Sequence, residues 1–278
     1  GNLFLNFAPT NPMAELHIEP GITIHFQDLN RHGSPGVLLL HGLGANCESW
    51  QLQTPALVDA GYHVIVPDMR GFGKSSYPGG QNNPKIMASD MVKLVESLSL
   101  GKFHLVGVSL GGTVALEVVF ARPDWVKSLV ITNSFAKLRP RKISLWLFYF
   151  IRLFLVHLIG IETQAEFVAE RLFPKPEQAL LRNSFKEQIC QSNPSGYRST
   201  MRSLAFFDAR ADAKEIQTPT FVITGENDTV VPPRSQTELA RLIPGSQQKI
   251  IRDSGHAVTV EKPDRYNQLL LEFLSAHD

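Results

Sequence analysis

Short, nearly continuous apolar runs recur along this chain at residues 37–40, 63–66, 105–108, 129–132, 221–224 and 249–251. A strand that is apolar on both faces is buried on both faces, as in a parallel sheet covered by helices. Residues 16–19 and 22–27 alternate instead, which predicts an antiparallel hairpin at one sheet edge. Between the runs lie segments of helical period, at 55–60, 88–98, 113–121, 236–242 and 264–275. Strand and helix therefore alternate, and the pattern predicts an α/β fold with right-handed crossovers, built on a mostly parallel eight-stranded sheet.

The alternation breaks once. No strand pattern occurs between Thr132 and Thr220. Residues 143–159, 163–172, 176–189 and 197–206 read as helices, with stops at Pro174, Pro176 and Asn193–Pro194. The reading is a helical cap at 135–215 inserted into a core formed by 13–134 and 216–278. Residues 1–12 are set aside as an extension. They lack the basic start and long apolar centre of a signal peptide, so the expected compartment is the cytoplasm.

Composition changes this picture little. The 278 residues are 43% hydrophobic and 19% charged, with a net charge of +1. A near-neutral chain offers no electrostatic footprint for nucleic acid, and none is expected as a partner. The two cysteines, Cys47 and Cys190, make neither a disulfide framework nor a metal motif. Cys47 is expected near an active-site loop, within reach of thiol reagents.

The chemistry begins at Gly107, Val108, Ser109, Leu110 and Gly111. This G-x-S-x-G sits between an apolar strand and a helical segment, the context in which the serine stands on a strained turn with its hydroxyl clear of the sheet. The helix behind it favours developing negative charge. A serine nucleophile needs a base and an acid that orients the base. Asp228 lies on the turn after residues 221–224, at the carboxyl edge of the sheet, and is the chosen acid, with Glu226 as the alternative. His256 follows the last strand in Ser254, Gly255, His256, Ala257, and is the chosen base. His41, Gly42, Leu43 and Gly44 follow residues 37–40 directly. The flanking glycines let the Leu43 amide turn inward, so the backbone N–H groups of Leu43 and Leu110 are the expected oxyanion hole. Residues 68–75 carry two glycines and a Lys-Ser but lack phosphate-loop spacing. They read as a turn braced by an Asp68–Arg70 pair.

With these pieces in order, the sequence resembles the α/β-hydrolase superfamily from about residue 16 to residue 274, as a serine esterase or lipase-like member with a helical cap. The matching pieces are His41 to Gly44, Asp68 to Gly71, Gly107 to Gly112, Gly225 to Pro232, and Gly255 with His256. The resemblance implies a hydrolase that needs no cofactor or metal. Family members with an elbow aspartate, such as epoxide hydrolases, are disfavoured by Ser109. Ala257 stands where C–C bond hydrolases often carry tryptophan. Asn133 removes the alternative family position for the acid, which favours Asp228. The expected reaction is cleavage of carboxylic esters with apolar acyl chains. A lactonase, a C–C hydrolase or a ligand receptor on the same fold is the alternative.

The cap bears on the substrate. Residues 143–161 are almost wholly apolar, yet a membrane span there would bury Arg152 and split one sheet across a bilayer. Two expectations remain: a helix lining an acyl pocket, and a lid that rests transiently on lipid with help from Arg139, Arg141 and Lys142. Phe135, Trp146, Phe150 and Phe206 are the candidate pocket residues, with Phe154 and Phe207 beside them.

Overall fold

The computed structural model describes residues 13–138 and 143–278. Residues 1–12 and the basic tract Arg139, Arg141 and Lys142 lie outside the described residues. Eight strands form one sheet: β1 (Met13–Glu19), β2 (Ile22–Leu29), β3 (Gly36–Leu40), β4 (His63–Pro67), β5 (Phe103–Val108), β6 (Val126–Thr132), β7 (Thr220–Gly225) and β8 (Gln247–Ile251). Their order is β1-β2-β4-β3-β5-β6-β7-β8. The β1–β2 hairpin is antiparallel and joins β4 antiparallel, while all other pairs are parallel. Every residue of β3 and β7 is buried, as continuous apolar runs require.

The helices are α1 (Thr54–Asp59), α2 (Pro84–Ser97), α3 (Leu110–Ala121), α4 (Ile143–Phe154), α5 (Ile161–Leu172), α6 (Ala179–Gln191), α7 (Pro194–Phe206), α8 (Pro233–Leu242), α9 (Val258–Glu261) and α10 (Pro263–Ser275). Two apolar clusters cover the two sheet faces. One joins α2 and α3 to alternate strand residues such as Leu38, Leu40, Leu105 and Leu129. The other joins α1 and α10 to Val37, Leu39, Val106 and Val130. Successive residues of one strand thus enter opposite clusters, the period-two consequence of the pleat.

Helices α4 to α7 all fall between β6 and β7. The apolar segment expected as one helix over 143–159 divides. Its α-helical part ends at Phe154, and one wider π turn, Leu155–Ile159, carries it to Gly160. Gly160 sits at φ 138°, outside the range that a side chain allows, and the chain reverses there into α5. Inward, Leu145, Phe148, Arg152 and Val156 are buried at helical spacing. Outward, Ile143, Trp146, Leu147, Phe150, Phe154 and Leu158 remain exposed. Among the described residues no helix is long and apolar enough to cross a membrane.

The turn after β4 corrects one expectation. Asp68 does not pair with Arg70. Its carboxylate accepts backbone N–H bonds from Cys47 and Lys74, both at 2.8 Å, and Gly73 must be glycine because a Cβ there would meet the carboxylate. Arg70 turns to α2 instead, where Nε and Nη2 donate to the two oxygens of Asp90 at 2.7 and 2.5 Å. The Asp90 side chain is fully buried, and burial raises its carboxyl while Arg70 opposes that rise. Removing one partner of such a pair strands the other charge. Asp90→Ala should therefore cost about 3–5 kcal/mol, read as a lower urea midpoint.

Candidate active site

Ser109 terminates β5 and begins α3. Its backbone adopts φ 54°, ψ −115°, a strained conformation for a residue with a Cβ. The flanking glycines are a steric necessity. A Cβ on Gly107 would collide with the Gly111 carbonyl oxygen, and one on Gly111 would collide with that of Leu40. The turn is fastened by the Ser109 N–H donating to Thr132 O at 2.9 Å, and by Ser134 Oγ donating to Ser109 O at 2.7 Å. The result projects Oγ off the sheet edge at the head of α3.

Three side chains from three loops converge there. Ser109 Oγ lies 3.1 Å from His256 Nε2, and His256 Nδ1 lies 2.8 Å from Asp228 Oδ2. The Asp228 side chain is fully buried. Its Oδ1 accepts the Val230 and Val231 N–H groups at 2.8 and 2.9 Å, and Gln236 Nε2 donates to Oδ2 at 3.0 Å. A carboxylate held by these donors is an acceptor, so Nδ1 of the imidazole carries its hydrogen. The Nε2 lone pair then faces the serine hydroxyl, the tautomer a general base requires. Glu226, the alternative acid, is exposed and accepts the Asp253 N–H at 3.1 Å instead.

Leu110 follows Ser109 directly in the chain, and Leu43 lines the same cavity as Ser109. A Cβ on Gly42 would stand 3.6 Å from Ser109 Cβ, so the loop carrying Leu43 passes beside the serine. Neither amide donates to an acceptor among the described residues. His41 does not join the site. Its Nε2 accepts the Met69 N–H at 2.9 Å and its Nδ1 donates to Gly42 O at 2.8 Å, while burial holds its pKa below the ordinary histidine value. It is a neutral brace for the loop.

A cavity of about 340 Å³ opens over these groups. Its floor includes Gly42, Leu43, Ser109 and His256, and its walls include Phe135, Trp146, Phe150, Leu153, Phe173 and Phe185. Most of the lining is apolar, the usual character of a small-molecule site.

Residues 35–263 match the family described as the alpha/beta hydrolase fold. The chain belongs to that family. The "Putative carbamate hydrolase RutD" of Stutzerimonas stutzeri is 30% identical over 253 residues, covering 87% of this chain and 92% of that one. Among solved structures, the enol-lactonase from Burkholderia xenovorans LB400 superposes with a TM-score of 0.85 at 24% identity, over 95% of this chain and all of the other. A thermophilic esterase from Thermogutta terrifontis gives a TM-score of 0.81 at 27% identity, over 96% of this chain and all of the other.

Within this α/β hydrolase, some sequence-predicted residues lie elsewhere. Phe206 is 86% exposed at the end of α7 and outside the cavity. The next residue, Phe207, takes the buried position and packs edge-to-face on Phe135, with ring centroids 6.2 Å apart. Phe154 is also absent from the lining, since α4 turns it outward. Cys47 is buried rather than within easy reach of thiol reagents. Desolvation, with Asp68 beside it, pushes its thiol well above the ordinary range.

Three positioning residues escaped the sequence. Asn133 Nδ2 donates to Gly255 O and His256 O at 3.0 and 2.8 Å, while its Oδ1 accepts the Gly225 N–H at 2.8 Å. One amide thus ties the histidine loop to the strand that leads to the acid. Glu261 Oε2 accepts the Gly255 N–H at 2.6 Å, and burial raises its carboxyl above the usual range. Gln236 holds Asp228, as above. For Asn133, its place after β6 was the only signal.

Proposed function

We propose that this chain is a serine hydrolase that cleaves carboxylic esters with a mainly apolar acyl part through an acyl-enzyme. The observation that carries the reading is the chain Ser109–His256–Asp228 set in the floor of an apolar cavity. His256 Nε2 takes the Ser109 proton as Oγ attacks the ester carbonyl. The Leu43 and Leu110 amides receive the oxyanion, each worth about 3 kcal/mol in the transition state. Asp228 holds the imidazolium. The imidazolium returns its proton to the departing alcohol, and a water activated by the same nitrogen frees the acid. A lactone is a cyclic ester, and the same steps would open it. The Stutzerimonas stutzeri relative is named for carbamate hydrolysis, and a carbamate ester offers a similar carbonyl to Ser109, so the choice of carboxylic esters rests on the apolar walls and not on the Ser109–His256–Asp228 chain.

The test is a series of p-nitrophenyl esters from acetate to palmitate. Each buried methylene contributes about 0.8 kcal/mol. The value of kcat/KM should therefore rise about three- to fourfold per methylene until the chain fills the cavity. Absence of Ser109-dependent turnover on every ester would overturn the reading. The exposed face of α4 favours one addition. Trp146 and Phe150 belong both to that face and to the cavity wall, so helices α4 to α7 would act as a lid that rests on lipid. Rates that step upward when the longer esters aggregate support this, and equal rates in both forms count against it.

A further inference from the structure

Arg152 is the anomaly of this cavity. It lies on the inner face of α4, only 7% exposed, and lines the same cavity as Ser109 and His256. No carboxylate lies within ion-pair distance of its guanidinium among the described residues. Its Nη2 donates to Tyr197 Oη at 3.0 Å, and Nε lies 2.8 Å from the Gln164 amide, whose oxygen accepts from it once that amide is turned end for end. The Phe148 ring carries the group at 5.5 Å from its centroid, and also carries Arg171 at 4.2 Å. Nothing in the protein accepts from Nη1 among the described residues.

Neutral acceptors and a ring hold this cation in place without neutralising it. Burying a charge unpaired is costly, so an interior cation is normally matched by an anion. The titratable groups on the cavity wall are Glu48, Tyr149, Arg152 and His256. Glu48 is exposed. Burial pushes the Tyr149 hydroxyl above its ordinary value, and that hydroxyl donates to Val230 O at 2.6 Å, so it stays neutral. A second feature points the same way. Gln188, 8% exposed on α6, lines the cavity with its Oε1 buried and without a hydrogen-bond partner. Turned end for end, that amide presents N–H donors at the same place. The position relative to the chemistry is also fixed. Tyr197, which holds Arg152, packs over the loop of Leu43, where a Cβ on Gly44 would meet Tyr197 Cε2 at 3.0 Å.

We infer that Arg152, aided by Gln188, is an anion subsite of the substrate cavity, and that the favoured ester carries a carboxylate separated from the scissile carbonyl by an apolar spacer. The inference rests on the ester-hydrolase reading and narrows it. A guanidinium edge matches the two oxygens of a carboxylate, and a charge-assisted bond in a largely desolvated site is worth about 10- to 100-fold in affinity.

The experiment compares ethyl esters of unbranched monocarboxylic acids with ethyl monoesters of the dicarboxylic acids of equal length, from five to eight carbons, against a Ser109→Ala blank. The wild-type enzyme should prefer the carboxylate-bearing ester by about 10- to 100-fold in kcat/KM at one or more lengths. In Arg152→Gln that preference should vanish, chiefly through KM, because the carboxylate-bearing ester loses far more than the neutral one. Arg152→Lys should restore part of it, as a point charge without the planar fork. A wild-type enzyme with no such preference at any length overturns the inference, as does an Arg152→Gln enzyme that retains it. Equal loss on both ester types would assign Arg152 a structural role only. Should Arg152→Gln not fold, the wild-type comparison decides alone. Failure of every ester would instead count against the ester reading. Calorimetric titration of wild type and Arg152→Gln with the free dicarboxylates would then decide the subsite. Wild-type binding that the variant loses supports it, and absence of wild-type binding overturns it.

Discussion

Replacing Ser109 with alanine is expected to lower kcat by about 10⁵- to 10⁶-fold while leaving the fold intact. The loss is this large because Ser109, His256 and Asp228 would act as a unit, so removal of the nucleophile alone removes nearly all that the three supply together. Residual turnover over water would come from the Leu43 and Leu110 amides and from binding in the cavity. The fold should not notice the change. An alanine at this position keeps the Cβ, and therefore the same strained φ of 54°. The Ser109 N–H bond to Thr132 and the Ser134 bond to Ser109 O are made by backbone atoms that alanine retains. An unchanged melting temperature beside a collapsed kcat would locate the effect in the hydroxyl. Substantial ester turnover in the alanine variant would remove Ser109 from the mechanism and leave the geometry at His256 without a nucleophile.

The sheet was legible from the sequence because burial on both faces leaves an unambiguous mark. Residues 37–40 and 221–224 had to be strands under helices, and they are the interiors of β3 and β7. The convergence of Ser109, Asp228 and His256 was legible through the turn chemistry at strand ends, where glycine marks each close passage. What the sequence hid was side-chain partnership across elements. Asp68 and Arg70 are near neighbours in sequence, and pairing them was reasonable. The strand end sends their side chains to different places, Asp68 to two backbone amides and Arg70 to Asp90 twenty positions away. Aromatic side chains were equally opaque. Phe206 and Phe207 are identical in type, and only the exit angle of α7 decides that the second one is buried. Arg152 read as a penalty against a membrane span; its place inside the cavity depends on which face of α4 turns inward, and an almost wholly apolar helix carries no polar face to declare that.

Asp228→Asn should lower kcat by about 10⁴-fold, with KM changed only a few-fold, whereas Glu226→Gln should leave both within about twofold. The contrast follows from the donors around each group. Asp228 Oδ1 receives two backbone N–H bonds that cannot be rearranged, so the asparagine oxygen must occupy that position. The amide nitrogen is thereby forced into the Oδ2 position, facing His256 Nδ1. Gln236 can accept it there by turning its amide, at the loss of the Nε2 bond to Val231 O at 2.9 Å. An N–H aimed at Nδ1 makes that nitrogen the acceptor and moves the imidazole hydrogen to Nε2. Nε2 then points a hydrogen at Ser109 Oγ, and the base has no lone pair for the serine proton. Three heavy-atom positions are nearly unchanged, yet the tautomer is reversed. A loss below about tenfold in Asp228→Asn would show that Asp228 does not set the tautomer. A comparable loss in Glu226→Gln would transfer the orienting role to the residue that the structure places on the surface.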